Sequence, residues 1–384
     1  MGCGMAKIAI VSRGWYPFVH GGADKFIARL AEKLSQMKHD VIAITRGRIT
    51  SLKENHASYR MILVKHRRSL PLVSSALFSF KAARIVNRLK PDIVIVNGYW
   101  AEASPIFINK KIPVILIIHD VGLFRSSWAR KHRLKHTLRT IVLRKNIERA
   151  SRVVVPTEPV REDIIRFLGI GGDKIIVLGT EGVDGPFEYR LVNNGLYDIV
   201  QVARFAPNKG QIYTLKAFKK LIKINPNARL WLVGGAPHSR EQREYFNVVK
   251  DLAKEINQAV GVKAVKIIVD APDVGKYYEL ADVCVATSTG EEGYGLALVE
   301  CMAHGKPVIA SPIFEKTGVV DRDRALIIDP RKTDELAEAF IRLNEDKELY
   351  DRLSRNALEY ARRCSWDNVA KVFSKIIREI IMYS

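Results

Sequence analysis

The chain has 384 residues and a formal net charge of +21 at pH 7, from 62 Lys and Arg against 41 Asp and Glu. This length suits two ordinary α/β domains with well-buried cores. The longest apolar runs, residues 112–118 and 70–80, fall short of the ~20 residues that a membrane-spanning helix needs. We therefore expect a soluble or peripheral protein, without a signal peptide because the first strand begins at Lys7.

Short apolar strands alternate with helical stretches along the whole chain, which is typical of doubly wound parallel sheets in α/β proteins. A stretch rich in Gly, Pro and Asn, residues 184–194, predicts the boundary between two domains. Before it we predict strands at 7–12, 40–45, 60–65, 92–97, 113–118, 152–156 and 174–178, and helices notably at 23–37 and 74–89. After it we predict strands at 198–203, 229–234, 265–269, 282–287 and 306–310, and helices at 210–224, 240–257 and 295–304.

The four cysteines stand at positions 3, 284, 301 and 364, with neither a C-x-x-C pair nor the spacing of metal ligands. Three of them lie in predicted strands or helices, and we expect these three to be buried thiols in a reducing cytoplasm.

The most informative segment is residues 291–300, Glu-Glu-Gly-Tyr-Gly-Leu-Ala-Leu-Val-Glu, which joins a predicted strand to a predicted helix. Gly293 and Gly295 let the backbone approach a ligand closely, and the N-terminus of the following helix offers unpaired N–H groups to an anion. Glu292 and Glu300 flank this anion site, and because carboxylates repel phosphate they suit sugar hydroxyls better. The segment therefore predicts a nucleotide-sugar pocket, the alternative being a generic strand–loop–helix corner with a solvated glutamate.

Together with residues 303–311, this segment resembles the Glu-x7-Glu signature of glycosyltransferase family four, a retaining family of GT-B fold. Further landmarks of that family follow in its order and cover nearly the whole chain: Gly21-Gly22-Ala23-Asp24, Ile118-His119-Asp120, Gly182-Val183-Asp184, residues 202–210 with Arg204 and Lys209, and Ser365-Trp366. The resemblance implies two Rossmann-like doubly wound domains facing a central cleft, with the ligand at the carboxyl ends of the strands. The N-terminal, acceptor-side domain would comprise residues 1–187 and the returning helix 366–384, and the nucleotide-sugar-binding domain residues 188–365.

Transfer of a sugar from a nucleoside diphosphate builds negative charge on the leaving group, which fixed cations and amides stabilise. By the resemblance, Arg204 and Lys209 bind the diphosphate, and Glu300 accepts hydrogen bonds from the ribose. Glu292 contacts the donor sugar near the reacting carbon, and His119 contacts the sugar through its side chain or carbonyl. The catalytic candidates are thus Arg204, Lys209, Glu292 and His119, and the donor-binding candidates are Gly21, Gly22, Gly293, Tyr294, Gly295, Leu296 and Glu300.

Two routes to retention stay open from the sequence. A carboxylate near the reacting carbon would allow double displacement through a covalent sugar. We favour the front-face route usually discussed for the family, in which the leaving phosphate takes the acceptor proton; Asp120 is the nearest candidate general base. Asp321-Arg322-Asp323 is formally an Asp-x-Asp pair, but GT-B enzymes generally use protein cations, so we expect neither a metal nor a cofactor.

The sequence departs from the family pattern in two places. After residues 307–311, where the family often carries a Gly-Gly pair and a Glu, only Glu315 and Gly318 are comparable. Thr180-Glu181 stands where the family usually has an Asn before Gly182. The donor base, the sugar and the acceptor are not indicated.

The basic character lies almost entirely in the first half, with a net charge of +18 for residues 1–190 and +3 for residues 191–384. Residues 125–149 hold nine Lys and Arg, two His and one acid, Glu148. Apolar residues recur on this predicted helix at Leu134, Leu138, Ile141 and Val142. The pattern favours a helix at an anionic membrane surface that brings in a lipid-linked acceptor, the alternative being an ordinary core-packing helix. The basic patch comprises Arg130, Lys131, Arg133, Lys135 and Arg139.

The leading interpretation is a metal-independent, retaining glycosyltransferase of hexosyltransferase type that acts in glycan biosynthesis. It would transfer a sugar from a nucleotide sugar to a lipid-linked or glycan acceptor, as a cytoplasmic protein peripheral to the inner face of the cell membrane. A soluble-acceptor transferase of sucrose or glycogen type and a nucleotide-sugar epimerase are alternatives, but neither needs a basic first half. A nucleic-acid-binding protein is an alternative from another class, but no RNP, KH or helix-turn-helix signature is present.

Overall fold

The structure is a computed structural model that describes residues 5–16, 22–47, 58–64, 71–98, 104–119, 133–190, 194–290 and 292–383. The side chains of residues 71–74, 133–136, 138 and 139 are outside this description, although their backbone is helical. The chain divides into two compact units, Met1–Gly182 with Trp366–Ser384, and Val183–Ser365. The division falls five residues before the boundary placed at 187/188 from the sequence.

The first unit contains a parallel sheet that, within the described residues, has the strand order β3-β2-β1-β4-β5-β6-β7. Its strands are rich in Val and Ile and buried on both faces, as parallel strands covered by helices are. The strands are β1 (Lys7–Ser12), β2 (Asp40–Arg46), β3 (Arg60–Val64), β4 (Ile93–Asn97), β5 (Val114–Ile117), β6 (Arg152–Val155) and β7 (Ile175–Val177). The helices are α1 (Gly22–Gln36), α2 (Pro71–Leu89), α3 (Ser104–Phe107), α4 (Arg133–Arg149) and α5 (Glu158–Leu168).

The second unit contains another parallel sheet, whose described strands follow the order β10-β9-β8-β11-β12-β13. The strands are β8 (Tyr197–Val202), β9 (Ala228–Gly234), β10 (Val265–Val269), β11 (Val283–Ala286), β12 (Val308–Ala310) and β13 (Ala325–Ile327). The helices are α6 (Gln211–Leu221), α7 (Arg240–Val260), α8 (Gly275–Leu280), α9 (Leu296–Ala303), α10 (Ile313–Lys316), α11 (Thr333–Glu345) and α12 (Lys347–Arg363).

The last helix, α13 (Trp366–Met382), belongs to the first unit. Alternate residues of β1 point to opposite faces of the sheet, so that Ile8 and Ile10 join the cluster that includes α1 and α13. Ala9 and Val11 join the cluster on the other face, which contains residues of α2, α4 and α5. The sheet therefore has a hydrophobic core on each side.

The predicted doubly wound α/β class is confirmed, and each strand predicted from the sequence occurs within two residues of its predicted ends. In the second unit, strand β13 and helices α8, α10, α11 and α12 were not predicted. Helix α6 ends at Leu221, three residues before the predicted end, and α7 continues three residues beyond it to Val260.

The expectation that the cysteines in strands and helices are buried thiols is wrong for one pair. Cys284 on β11 and Cys301 on α9 form a disulfide, with Cα atoms 6.5 Å apart. The two residues lie 17 positions apart, and only the packing of α9 against β11 brings them together, so their spacing gave no signal. Cys364 is a free, buried thiol, and Cys3 lies outside the described residues.

The disulfide predicts the pattern of alkylation in the denatured, unreduced protein. Cys284 and Cys301 should stay unmodified until a reductant is added, whereas Cys364 should be alkylated with or without reductant. Peptide mass spectrometry measures all three sites, and Cys364 serves as the internal control. Modification of Cys284 and Cys301 before reduction would contradict the pairing.

Candidate active site

The direction of strand order in the second sheet reverses at β8, which pairs with β9 on one side and with β11 on the other. At such a switch point the loops after the two strands diverge and leave a crevice where ligands bind. The loop after β8 carries Arg204 and Lys209, and the loop after β11 carries Glu292 to Gly295. The structure therefore brings these predicted residues to one edge of one sheet.

The turn that carries Lys209 is attached to the end of β11 by buried polar contacts. Gln201 Nε2 donates to Lys209 O at 2.9 Å and to Thr287 Oγ1 at 3.0 Å, and Thr287 Oγ1 lies 3.0 Å from Gly210 O. Gly210 has a φ of +68°, and a Cβ there would lie 2.0 Å from Thr287 O. Only glycine satisfies both constraints, so the turn has little freedom to shift.

An ion pair joins the two loops. Lys209 Nζ lies 2.5 Å from Glu292 Oε1, and Ser288 Oγ donates to the same oxygen at 2.5 Å. The Lys209 and Glu292 side chains are only 16% and 11% exposed. Among the described residues, Glu292 Oε2 has no hydrogen-bond partner, and no carboxylate lies within ion-pair distance of the exposed Arg204. The site thus combines a fixed ammonium–carboxylate pair with an available guanidinium.

The glycine loop ends at the start of α9. Gly295 has a φ of +112°, and a Cβ there would lie 2.8 Å from Phe314 Cδ1, so this position requires glycine. Leu296 is the first helical residue, and its N–H belongs to the first turn, which has no intrahelical partners. The buried Tyr294 hydroxyl lies 3.4 Å from both Tyr360 OH and Cys364 Sγ. Its ring therefore holds the loop on the core, and only its backbone remains for ligand binding.

Glu300 lies on α9 and is oriented by a tyrosine of α8. Tyr278 OH donates to Glu300 Oε2 at 3.0 Å, and His304 Nδ1 lies 2.8 Å from Glu300 O. Burial and the charge of Glu300 raise the pKa of the Tyr278 phenol, so it keeps its proton and donates. Tyr278 holds one carboxylate oxygen in place.

The strand order of the first sheet reverses at β1, and a second set of polar residues lies at the ends of β1, β4 and β5. His119 Nε2 lies 2.8 Å from Asn97 Oδ1, and His119 Nδ1 lies 3.0 Å from Glu181 Oε1. Gly22 begins α1, but neither a positive φ nor a close neighbour requires glycine there. Gly21 and Asp120 lie outside the described residues.

The predicted basic patch is only partly within the described chain. Arg130 and Lys131 lie outside it, and Arg133, Lys135 and Arg139 lie on α4 with undescribed side chains, as do Leu134 and Leu138. In the described part of α4, Leu143 and Ile147 pack into the core, whereas Ile141 is 47% exposed. The helix therefore does not use Ile141 for core packing.

The structure adds functional candidates that the sequence analysis missed: Ser288 beside Glu292, Tyr278 beside Glu300, and Asn97 beside His119. The polar run Thr287-Ser288-Thr289 directly after an apolar strand was a usable signal for Ser288. No such signal marked Tyr278 in the sequence, because an aromatic residue on a short helix is more often part of a hydrophobic core. Within the described residues, no cluster of His, Cys, Asp or Glu is arranged to hold a metal, and none of the helices is long and apolar enough to cross a membrane.

Comparison with known proteins assigns both units. The family model described as Glycosyltransferase Family 4 matches residues 20–184, and that described as Glycosyl transferases group 1 matches residues 188–360. The lipopolysaccharide 1,2-N-acetylglucosaminetransferase of Salmonella typhimurium is 31% identical over 185 residues, 46% of this chain and 47% of that protein. The alpha-monoglucosyldiacylglycerol synthase of Acholeplasma laidlawii is 24% identical over 376 residues, 91% of each protein.

The fold also agrees with solved structures. The structure of Anabaena HepE in complex with UDP superposes with a TM-score of 0.77, at 18% identity, over 97% of this chain and 100% of that one. The two parallel-sheet units thus form the Rossmann-like halves of a GT-B fold. The chain belongs to the GT4-type glycosyltransferases, enzymes of GT-B fold that use nucleotide-sugar donors.

Proposed function

We propose that this protein is a retaining, metal-independent hexosyltransferase that acts on a lipid-linked or glycan acceptor at the cytoplasmic surface of an anionic membrane. The observation that supports the chemistry best is the Lys209–Glu292 pair, held beside Arg204 at the switch point of the second sheet. It joins in one site a cation for the departing diphosphate and a carboxylate for the sugar.

Arg204 and Lys209 neutralise the charge that grows on the diphosphate as the glycosidic bond breaks. Lys209 has three N–H groups, so it can keep its hydrogen bond to Glu292 and still donate to a phosphate oxygen. Arg204 can engage a second phosphate with its planar fork. The N–H groups of the first turn of α9 add a further donor set for the same anion. Two protein cations and a helix N-terminus supply the charge that a divalent ion supplies elsewhere.

Glu292 orients the donor sugar and stabilises positive charge at the reacting carbon. Its Oε1 accepts from both Lys209 and Ser288, and a carboxylate engaged in this way is a weak nucleophile. This favours the front-face route over double displacement. The bond between the anomeric carbon and the phosphate oxygen breaks, the acceptor oxygen bonds to the same face, and the acceptor proton passes to the leaving phosphate. Glu300, oriented by Tyr278, accepts from the ribose hydroxyls.

The site assignment predicts the kinetics of three single variants. Arg204→Ala and Lys209→Ala should each lower kcat about a hundred- to thousandfold, because each removes a preorganised donor to the leaving group. Glu300→Ala should mainly raise the KM for the donor. Lys223→Ala, at an exposed lysine of the same unit, is the control and should behave as wild type. Unchanged kinetics in the first three variants would contradict the assignment.

The proposed stereochemistry and metal independence are testable without a known acceptor. Slow hydrolysis of the donor should first release the sugar in the anomeric configuration it had in the donor, as proton NMR can follow before mutarotation. Chelation with EDTA should leave the rate unchanged, because the diphosphate is met by protein cations. Initial release of the opposite anomer, or loss of activity that a divalent ion restores, would contradict the proposal.

An exposed apolar surface on the first unit supports membrane association. We call the residues Leu77 and Phe80 on α2 with Ile106 and Phe107 on α3 the α2–α3 patch; these side chains are 41–47% exposed. The Phe80 and Phe107 rings meet edge to face, 5.6 Å apart. Solvent-exposed aromatic side chains clustered in this way are characteristic of interaction surfaces.

The patch is held rigidly and has a cationic border. Asn87 on α2 donates to Phe107 O at 3.1 Å and accepts from Asn109 N at 2.9 Å, which fixes α3 against α2. Arg84 lies 6.0 Å from the Phe80 ring, and the exposed Lys110 and Lys111 follow α3. Apolar side chains bordered by cations suit an anionic bilayer, because the apolar side chains can enter the acyl boundary while the cations contact the headgroups. The net charge of +18 in residues 1–190 supports the same partner, as does the glycolipid product in the name of the Acholeplasma relative.

The membrane proposal predicts the binding of the protein to vesicles rich in phosphatidylglycerol. The double variant Phe80→Ser/Phe107→Ser should bind them several-fold more weakly than wild type, because it removes the inserting rings. Phe167→Ser is a matched control, since Phe167 is also exposed and has Arg166 4.8 Å from its ring, but lies on α5. Sedimentation measures binding, and equal binding by all three proteins would instead favour a soluble acceptor.

A further inference from the structure

The second sheet has an open edge at β10, the outermost of its described strands on that side. In a parallel ladder, successive residues of a strand direct their N–H and C=O groups to opposite sides. Ala264 O accepts from Leu230 N at 2.9 Å, so the even-numbered residues of β10 face β9. The backbone groups of the odd-numbered residues, Val265, Ile267 and Val269, therefore point away from the sheet.

A side chain of α7 closes the beginning of this edge. Asn257 accepts from Val265 N at 2.8 Å and donates to Val265 O at 2.9 Å, as a neighbouring strand would. Among the described residues, the outward N–H and C=O groups of Ile267 and Val269 have no such partner. This part of the edge can therefore pair with one more extended chain.

A groove of about 590 Å³ lies beside the open edge, between β10 and the C-terminal half of α7. Its lining combines the apolar side chains of Ala253 and Val262 with three exposed lysines, Lys250, Lys254 and Lys263. No carboxylate is among the described residues that line it. The groove is therefore apolar at its base and cationic at its border.

The neighbouring charges leave this cationic character in place. Glu255 on α7 faces α6, where its Oε1 lies 2.5 Å from Lys219 Nζ. Asp251, also on α7, is exposed and does not line the groove. Side chains alternate along a strand, so Lys266 lies on the face of β10 opposite to Ile267 and the groove. Lysines thus flank the open edge on both of its faces.

We propose that the open edge of β10 and this groove bind an extended acidic segment of a partner protein, which joins the sheet as a further strand. Its backbone pairs with Ile267 and Val269, and its carboxylates meet Lys250, Lys254 and Lys263. This binding surface lies within the second unit, and it does not depend on the proposed function.

Charge and backbone chemistry together favour this occupant over two others. A second copy of this chain, paired edge to edge, would bring lysines against lysines, and lysines on an edge strand oppose such pairing. A nucleic acid would meet the lysines, but it offers no row of alternating donors and acceptors to the backbone of the edge. An acidic peptide satisfies both the lysines and the edge.

A labelled peptide of about eight residues, in which Glu and Val alternate, tests the charge complementarity. Fluorescence anisotropy should show that the wild type binds this peptide. The triple variant Lys250→Glu/Lys254→Glu/Lys263→Glu should bind it at least about tenfold more weakly, because carboxylates replace the cations that meet the peptide. Absence of binding to the wild type, or equal binding by the variant, would overturn the proposal.

A matched control changes the net charge by the same amount elsewhere in the second unit. The triple variant Lys216→Glu/Lys223→Glu/Lys347→Glu alters three exposed lysines outside the groove. It should bind the peptide as the wild type does. An equal loss of binding in both triple variants would show an effect of net charge alone and would overturn the proposal.

Hydrogen exchange, followed by NMR, tests the added strand. The bound peptide should slow the exchange of the Ile267 and Val269 amides. Val269 is 40% exposed and its N–H points outward, so Val269→Pro removes an edge donor without breaking a ladder bond. This variant should keep its Tm within a few degrees of wild type but bind the peptide more weakly. Peptide binding with unchanged exchange at both amides would overturn the strand pairing.

The same variants identify the two other occupants. Sedimentation equilibrium should show no dimer that depends on the three groove lysines. Such a dimer, abolished in Lys250→Glu/Lys254→Glu/Lys263→Glu, would overturn the proposal in favour of a second copy. A single-stranded oligonucleotide that binds through these lysines more tightly than the peptide would overturn it in favour of a nucleic acid.

Discussion

The contact between Lys209 and Glu292 makes the second unit a candidate catalyst rather than a generic nucleotide-binding fold. It requires the loops after β8 and β11 to lie side by side, which follows from the adjacency of these strands at the switch point. The turn that carries Lys209 is then held against the end of β11 by Gly210, Gln201 and Thr287. Because the pair is largely buried, its charges act in a lower dielectric than those of solvated side chains, which strengthens the interaction that we propose with a diphosphate sugar.

The two units use the same architectural device for different tasks. Each sheet reverses its strand order once, and in each the polar residues collect where the loops diverge. In the second unit the result is the Lys209–Glu292 ion pair, which we propose for the donor. In the first unit it is His119, whose two ring nitrogens lie within hydrogen-bond distance of Asn97 and Glu181. The exposed α2–α3 patch belongs to the first unit as well, so the acceptor side of the proposed reaction and the membrane contact are carried by the same unit.

Local patterns in the sequence predicted what depends on local physics. Runs of Val and Ile predicted the strands, and the resemblance to glycosyltransferase family four assigned Arg204, Lys209 and Glu292 to one site. The contacts that complete the sites join residues far apart in the chain: 22 positions between Asn97 and His119, and 62 between His119 and Glu181. Such contacts depend on strand register and loop path, which no spacing rule encodes. For the same reason the sequence did not predict the Cys284–Cys301 disulfide, because the two cysteines meet only through the packing of α9 on β11.

The most direct test of the central claim is a thermal-shift series with UDP, GDP, ADP and their common sugar conjugates, with the free nucleosides as controls. A site built around Lys209, Arg204 and the first turn of α9 should respond to the diphosphate of one base and not to its nucleoside. Ligand at a hundred times its dissociation constant should stabilise the fold by ~2.7 kcal/mol, a shift of a few degrees in Tm. Equal shifts with nucleoside and nucleoside diphosphate, or none with any ligand, would contradict the assignment of this site to the donor.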